Sequence, residues 1–277
     1  MAGVSHEDVL NFLMDTRPIG IFDSGSGGLS IWKSMTFLLP YESMIYVGDH
    51  AHIPYSTKTP AYIKKRVMNL LRFLQSRKVK MIVIACNTAT VTGIDYFRKA
   101  FPDIPIVGVV PVIKTGAEKS NMKKFAVLST ERTAKSVYQQ HLISSFANDC
   151  AVFSVGNTDL VSLIENGKKD SKEVKTLLEK VLIPLTDKKI DVLVLGCTHF
   201  PFLRTAIQKI VGPQILVLDS GDAVARQVKH ILGHEDIQSS VKKPLYQFFT
   251  TGNPQNVSMV ASHLLQKAIV FTRVLGF

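Results

Sequence analysis

The chain has 277 residues, 46% of them hydrophobic, and a formal net charge of +11. That length allows two domains of ordinary size, and the apolar content excludes a mainly disordered chain. No apolar run reaches the ~18–20 residues of a membrane span.

The opening Met-Ala-Gly-Val-Ser-His-Glu-Asp has acids where a secretory signal needs basic residues, so a cytoplasmic location is expected. The three cysteines form no C-x-x-C pair, which argues against both a disulfide framework and a zinc site. Cys150 has no motif around it and reads as packing. The positive charge is dispersed in short runs (Lys64-Lys65-Arg66, Lys123-Lys124, Lys168-Lys169, Lys188-Lys189, Lys242-Lys243) with no interleaved aromatics. Such pairs mark solvated faces and help attract an anionic substrate, with a nucleic-acid-associated partner as the alternative. No metal site is expected, and no membrane partner.

The first predicted strand, 18–24, breaks into Gly25-Ser-Gly-Gly28 before an amphipathic helix holding Leu29, Trp32 and Leu38. A glycine-rich turn between strand and helix lets backbone N–H groups approach an anion. A dinucleotide fingerprint would need Gly or Ala where Ser30 stands, although Asp49, after the strand at 44–47, lies near the ribose-binding offset. His50 and His52 sit in the loop 48–58 without a third metal ligand nearby and read as polar loop residues. Thr59 caps a helix with Pro60 at its first position, and Ile63, Val67, Leu70, Leu71 and Leu74 form its buried stripe.

Residues 79–90 are a β-branched apolar run, one small residue, Cys86 and a helix-start pattern. A strand at 105–110 follows, and 125–133 repeats the opening device, a strand giving way to hydroxyl-bearing helix-start residues. A strand at 151–155 and a short helix at 160–165, stopped by Asn166-Gly167, come next. Val174, Leu177, Leu178, Val181 and Leu182 stripe another helix. Residues 190–201 then rhyme with 79–90, with Cys197 where the strand ends, and Pro201 opening a helix that stops at Gly212. Strands at 215–218 and 246–250 and a helix after Asn253-Pro254 complete the series.

Alternation of this kind means α/β with mainly parallel sheets, whose both-face-covered strands read as continuous apolar runs. The recurrence of strand-then-polar-turn and strand-then-Cys predicts a diverged internal duplication, two α/β halves facing each other. Each thiol lies at the carboxyl edge of a sheet, where open α/β folds place ligands, and beside a helix start that favours thiolate. Two such thiols suggest a pair of acid/base groups.

Asp23-Ser-Gly-Ser-Gly-Gly28, Pro54-Tyr55 with Lys58, Ala85-Cys-Asn-Thr-Ala89 and Gly196-Cys-Thr-His-Phe-Pro201 resemble the glutamate racemases of the aspartate/glutamate racemase superfamily. The resemblance runs in order from about residue 18 to Phe249-Thr-Thr-Gly-Asn-Pro254. It implies cofactor-independent interconversion of L- and D-glutamate, supplying D-glutamate for peptidoglycan. It also implies two facing domains, 1–109 plus 219–277 on the Cys86 side and 110–218 on the Cys197 side, with the active site in the cleft between them. A homodimer is the expected assembly. By the same resemblance Cys86 takes the proton from D-glutamate and Cys197 from L-glutamate, Asp23 assists Cys86, and His199 and Glu165 assist Cys197. Asp23, Ser24, Tyr55, Ser56, Asn87, Thr88, Thr198 and His199 would bind the substrate; helix capping is the structural alternative for Thr88 and Thr198. The family has Gly after Pro-Tyr, so Ser56 predicts strain if φ is positive there. Asn157-Thr158 and the His50/His52 pair also depart from the family pattern. The competing functions are an aspartate racemase using the same thiols, a regulatory binding protein that has kept the cleft, and a nicotinamide oxidoreductase.

Overall fold

The structure is a computed structural model that describes residues 15–274. The opening octapeptide discussed above lies outside the described residues. Strand β1 (Ile19–Asp23), helix α1 (Leu29–Leu38), β2 (Met44–Gly48), α2 (Pro60–Ser76), β3 (Met81–Ile84), α3 (Asn87–Ala100) and β4 (Ile106–Gly108) alternate first. After α4 (Ile113–Lys119) come β5 (Lys124–Ser129), α5 (Glu131–Ala134), α6 (Val137–Phe146) and β6 (Ala151–Gly156). The chain continues through α7 (Asp159–Glu165), α8 (Lys172–Thr186), β7 (Val192–Leu195), α9 (Arg204–Val211) and β8 (Leu216–Leu218). It closes with α10 (Gly221–His234), β9 (Tyr246–Thr250), α11 (Pro254–Leu265) and β10 (Phe271–Arg273).

Two wholly parallel sheets result, of six strands in the order β10-β9-β2-β1-β3-β4 and of four in the order β6-β5-β7-β8. The last four positions of the larger sheet, β2-β1-β3-β4, repeat the order of the smaller one, so the duplication is topological as well as local. β9 and β10 extend the larger sheet, and the chain returns to it after completing the smaller one.

Burial explains the unbroken apolar runs. Every residue of β1, β2, β3 and β7 is buried, because helices cover both sheet faces. On one face of the larger sheet, Leu29, Ile31, Trp32, Val224 and Val228 pack on Ile19, Ile21 and Tyr46. On the other, Ile63, Val67, Leu71 and Phe97 pack on Phe22, Val47 and Ile84. The smaller sheet is enclosed by Val174, Leu178 and Ile207 on one side and by Ile113 and Ala117 on the other.

The α2 cap matches its sequence signal: Tyr62 N donates to Thr59 Oγ1 at 3.2 Å, ahead of Pro60. Differences occur where signals were short. Pro201 lies within a 3₁₀ turn, Phe200–Leu203, and the α-helix begins only at Arg204. β4 is shorter than 105–110, and β10, a three-residue strand on the sheet edge, had no sequence signal. Among the described residues no helix is long and apolar enough to cross a membrane.

Candidate active site

Strand ends place the site. β1 pairs with β3 through Phe22 and Ile84, and β5 pairs with β7 through Leu128 and Leu195. The residues just beyond these pairs are Ser24 beside Cys86 in one half and Thr130 beside Cys197 in the other. All four line a single small cavity of ≈ 20 Å³ together with Tyr55, Ser56, Asn87, Thr88, Thr198 and His199. Of the sequence-predicted site residues, only Asp23 and Glu165 do not line it; both sit just behind.

Cys86 is itself the cap of α3. Its sulfur accepts from Ala89 N at 3.4 Å and its thiol donates to Ser24 Oγ at 3.3 Å. The helix start alone would favour thiolate, but burial, and next the Asp23 carboxylate, push the Cys86 thiol up to about 12. Asp23 is wholly buried. Its Oδ1 accepts from Gly25 N at 2.8 Å and its Oδ2 from Thr198 Oγ1 at 3.3 Å. Burial raises its carboxyl to about 6, opposed by the charge of His199 and the bond from Gly25.

The Cys197 side is built differently. Cys197 Sγ lies 3.8 Å from His199 Nδ1, and His199 Nε2 lies 2.6 Å from Glu165 Oε1. Burial by itself would lower the imidazole, yet its bonds to Cys197 and Glu165 hold it well above its ordinary value. Burial would raise Glu165, yet His199 brings it down to about 2. The pair is therefore an imidazolium and a carboxylate.

Glycines let this pair approach. A Cβ on Gly25 would come within 2.3 Å of Glu165 Oε1, and one on Gly27 within 2.3 Å of His199 Nδ1. The glycine-rich turn thus does receive an anion, but that anion belongs to the protein: Ser26 N donates to Glu165 Oε1 at 2.5 Å and Ser26 Oγ to Oε2 at 3.1 Å. Each half gives its carboxylate donors from the other, Thr198 to Asp23 and Ser26 to Glu165.

Thr88 and Thr198 are not caps. Thr88 Oγ1 meets Thr130 Oγ1 at 3.0 Å across the cleft, while Thr198 serves Asp23. Ser56 is free of the strain predicted for it: it lies in a 3₁₀ turn, Tyr55–Thr57, and is not among the positive-φ residues. Its hydroxyl meets Thr158 Oγ1 at 3.0 Å. The Tyr55 hydroxyl donates to Asp49 Oδ2 at 2.7 Å, so that hydroxyl is already engaged although Tyr55 lines the cavity.

Asp49 also accepts from Arg66 Nε and Nη2 (3.0 and 2.9 Å) and from Thr251 Oγ1 (2.8 Å), and it contacts His52 Nδ1 at 2.8 Å. Those bonds hold its carboxyl below the usual range although burial opposes them. They also occupy the oxygens that a ribose would need. Asp49 is an anchor for the loop 49–58, a role that offset counting could not reveal. Sequence reasoning also passed over Thr130 and Ser26, whose partners are distant in sequence. Among the described residues no group of three His, Cys, Asp or Glu could hold a metal ion.

A sequence profile described as Asp/Glu/Hydantoin racemase matches residues 33–228. The chain is 38% identical to a glutamate racemase of Pseudomonas putida KT2440, over 91% of this chain and 96% of that one. Among solved structures it superposes on glutamate racemase isoform RacE1 from Bacillus anthracis with a TM-score of 0.86, at 30% identity over 94% and 98% of the two chains. The Escherichia coli glutamate racemase, solved with L-glutamate and the activator UDP-MurNAc-ala, gives 0.82 at 33% identity over 94% and 100%. With the profile covering most of its length and the likeness to P. putida running nearly end to end, this chain belongs to the Asp/Glu/Hydantoin racemase family, alongside the glutamate racemases.

Proposed function

We propose that this protein racemises glutamate without a cofactor, by proton transfer between two thiols on opposite faces of the α-carbon. The observation carrying this reading is that Cys86 and Cys197, each at the end of a central strand in its own half, line the same cavity. Inverting a stereocentre this way needs a base on one face and an acid on the other. In the direction L to D, the Cys197 thiolate removes the α-proton and its S–H bond forms. The electron pair left on carbon then takes the Cys86 thiol proton from the opposite face, leaving D-glutamate and a Cys86 thiolate. The reverse direction starts from that second state.

The two electrostatic settings suit these roles. The high value of the Cys86 thiol keeps it protonated as the acid for this direction. The His199 imidazolium, held in place by Glu165, supplies the positive charge that balances a Cys197 thiolate. When Cys86 acts as base, Asp23, poised near neutrality, is the group to accept its proton. Ser24, Asn87, Thr88, Thr198 and the Tyr55-Ser56 turn would hold the carboxylates and ammonium. The E. coli relative binds L-glutamate, which supports the substrate assignment. D-Glutamate made here would supply peptidoglycan synthesis.

Cys86→Ala and Cys197→Ala test the reading. Each variant is expected to lose racemisation, because one face of the α-carbon lacks its proton carrier. Wild-type turnover in either would refute the two-thiol mechanism.

A further inference from the structure

Behind the Cys197–His199–Glu165 row the hydrogen bonds continue. Ser26 Oγ, which donates to Glu165 Oε2 at 3.1 Å, lies 3.0 Å from His50 Nε2. His50 Nδ1 lies 2.9 Å from Thr250 Oγ1 and 3.2 Å from Gly48 O. The ring is further fixed edge-on against Phe271, at 5.6 Å and 84°. From the tip of β9 to the cavity wall this is one connected chain of polar side chains.

A hydroxyl has one proton, so Ser26 cannot donate to Glu165 and to His50 together. With the His50 proton on Nε2, the imidazole donates to Ser26 Oγ and leaves the hydroxyl proton for Glu165. With it on Nδ1, the imidazole donates to Gly48 O, and its bare Nε2 draws the Ser26 proton away from Glu165. Thr250 can serve the first arrangement: its Oγ1 accepts from Gly252 N at 2.9 Å, which leaves its own proton free for His50 Nδ1. That tautomer gives Glu165 a charge-assisted bond in addition to those from Ser26 N and His199.

We propose that His50 is a positioning residue for the Cys197 half of the reaction. Acting through Ser26, it keeps Glu165 fully bonded and oriented on His199, which in turn faces Cys197. The inference rests on the two-thiol reading above and extends it to a side chain outside the cavity.

Racemisation has an equilibrium constant of unity, so kcat/KM is equal for both hands. Isotope effects on kcat/KM separate the two proton transfers. The test uses the full chain and α-deuterated L- and D-glutamate with the wild type, His50→Leu, His50→Gln and Ser26→Ala. Ser26→Ala keeps the backbone N–H on Glu165, and His50→Gln keeps a nitrogen donor near the Nε2 position. We expect roughly tenfold lower kcat/KM in His50→Leu and Ser26→Ala, in line with loss of one bond to a charged group. The double variant should be no slower than either single one, and His50→Gln should recover most of the loss. In the impaired variants the isotope effect should rise with deuterated L-glutamate, whose proton Cys197 removes, and fall with the D-isomer. Wild-type rates in His50→Leu would overturn the proposal. So would a loss in which the two isotope effects keep their wild-type ratio, the mark of a general structural lesion. An inactive wild type would instead overturn the racemase reading itself, before any variant is compared.

Discussion

The Asp23 carboxylate opposes ionisation of the Cys86 thiol, and that opposition has measurable consequences. Asn at position 23 would remove the negative charge beside the thiol and bring the Cys86 titration down from about 12. Thiolate absorbance against pH should show the fall. Racemisation should nevertheless drop by roughly 10²–10⁴, because the proton acceptor proposed for Cys86 is gone. Stability moves with its own sign. Folding raises the Asp23 carboxyl from 3.8 to about 6, so its favourable contribution is complete below 3.8 and is lost as pH climbs through 6. Relative to the wild type, Asp23→Asn should therefore gain about 3 kcal/mol between pH 3.5 and pH 7.5, at about 1.4 kcal/mol per unit. Urea unfolding at both pH values measures the difference; an equal effect at the two would mean that Asp23 titrates as an ordinary surface acid. The two thiols were legible in the sequence because each carries its whole context with it, a covered strand and a helix start. Ser26 and His50 were not. Their roles depend on Glu165, which is 139 residues from Ser26 and meets it only in the folded chain.

Loop 49–58 shows how an element without regular structure is held still. Asp49, at the tip of β2, gathers Arg66 from α2, Tyr55 from the loop and Thr251 from beyond β9. Arg66→Met would take the guanidinium and its two bonds from that buried carboxylate, leaving it to Tyr55, Thr251 and His52, at a cost of roughly 3 kcal/mol. It should also raise KM for glutamate, because Tyr55 and Ser56 lose their anchor; a lower Tm with unchanged KM would uncouple the loop from the site. Helix and strand positions were readable wherever periodicity was long. The α2 stripe and its Thr59-Pro60 start are the clearest case. The misreadings share a cause, since local chemistry was judged without the opposite half. Thr88 and Thr198 resemble caps in sequence, but the cap of α3 is the Cys86 thiol, and both hydroxyls reach across the cleft. β10 is set by pairing with β9 and packing on the core, neither of which leaves a pattern in three residues.

The whole molecule is two similar sheets whose polar edges meet over a small space. Arg132 of α5 donates to the carbonyls of Ser56 (3.3 Å) and Lys58, and Ser56–Thr158 and Thr88–Thr130 add hydroxyl contacts across the cleft. A cavity of ≈ 20 Å³ holds about one water, far less than glutamate needs. Entry of glutamate would then require the halves to part, and Arg132 is the charged member of the contacts that join them. Arg132→Ala should speed amide exchange across residues 55–58 and 131–134, and glutamate should restore part of the protection. Unchanged exchange would show that these contacts do not hold the cleft closed. The duplicated order β2-β1-β3-β4 and β6-β5-β7-β8 gives this arrangement its chemical sense, since it sets one thiol from each half on the same cavity. The most direct measurement is incubation of the reduced protein with L-glutamate in D₂O, with no cofactor added. Proton NMR follows the α-proton and circular dichroism the optical activity. Two-thiol racemisation predicts that both signals decay together, as each inversion delivers a solvent deuteron. An α-proton and an optical activity that both persist for hours, with the two thiols intact, would contradict it.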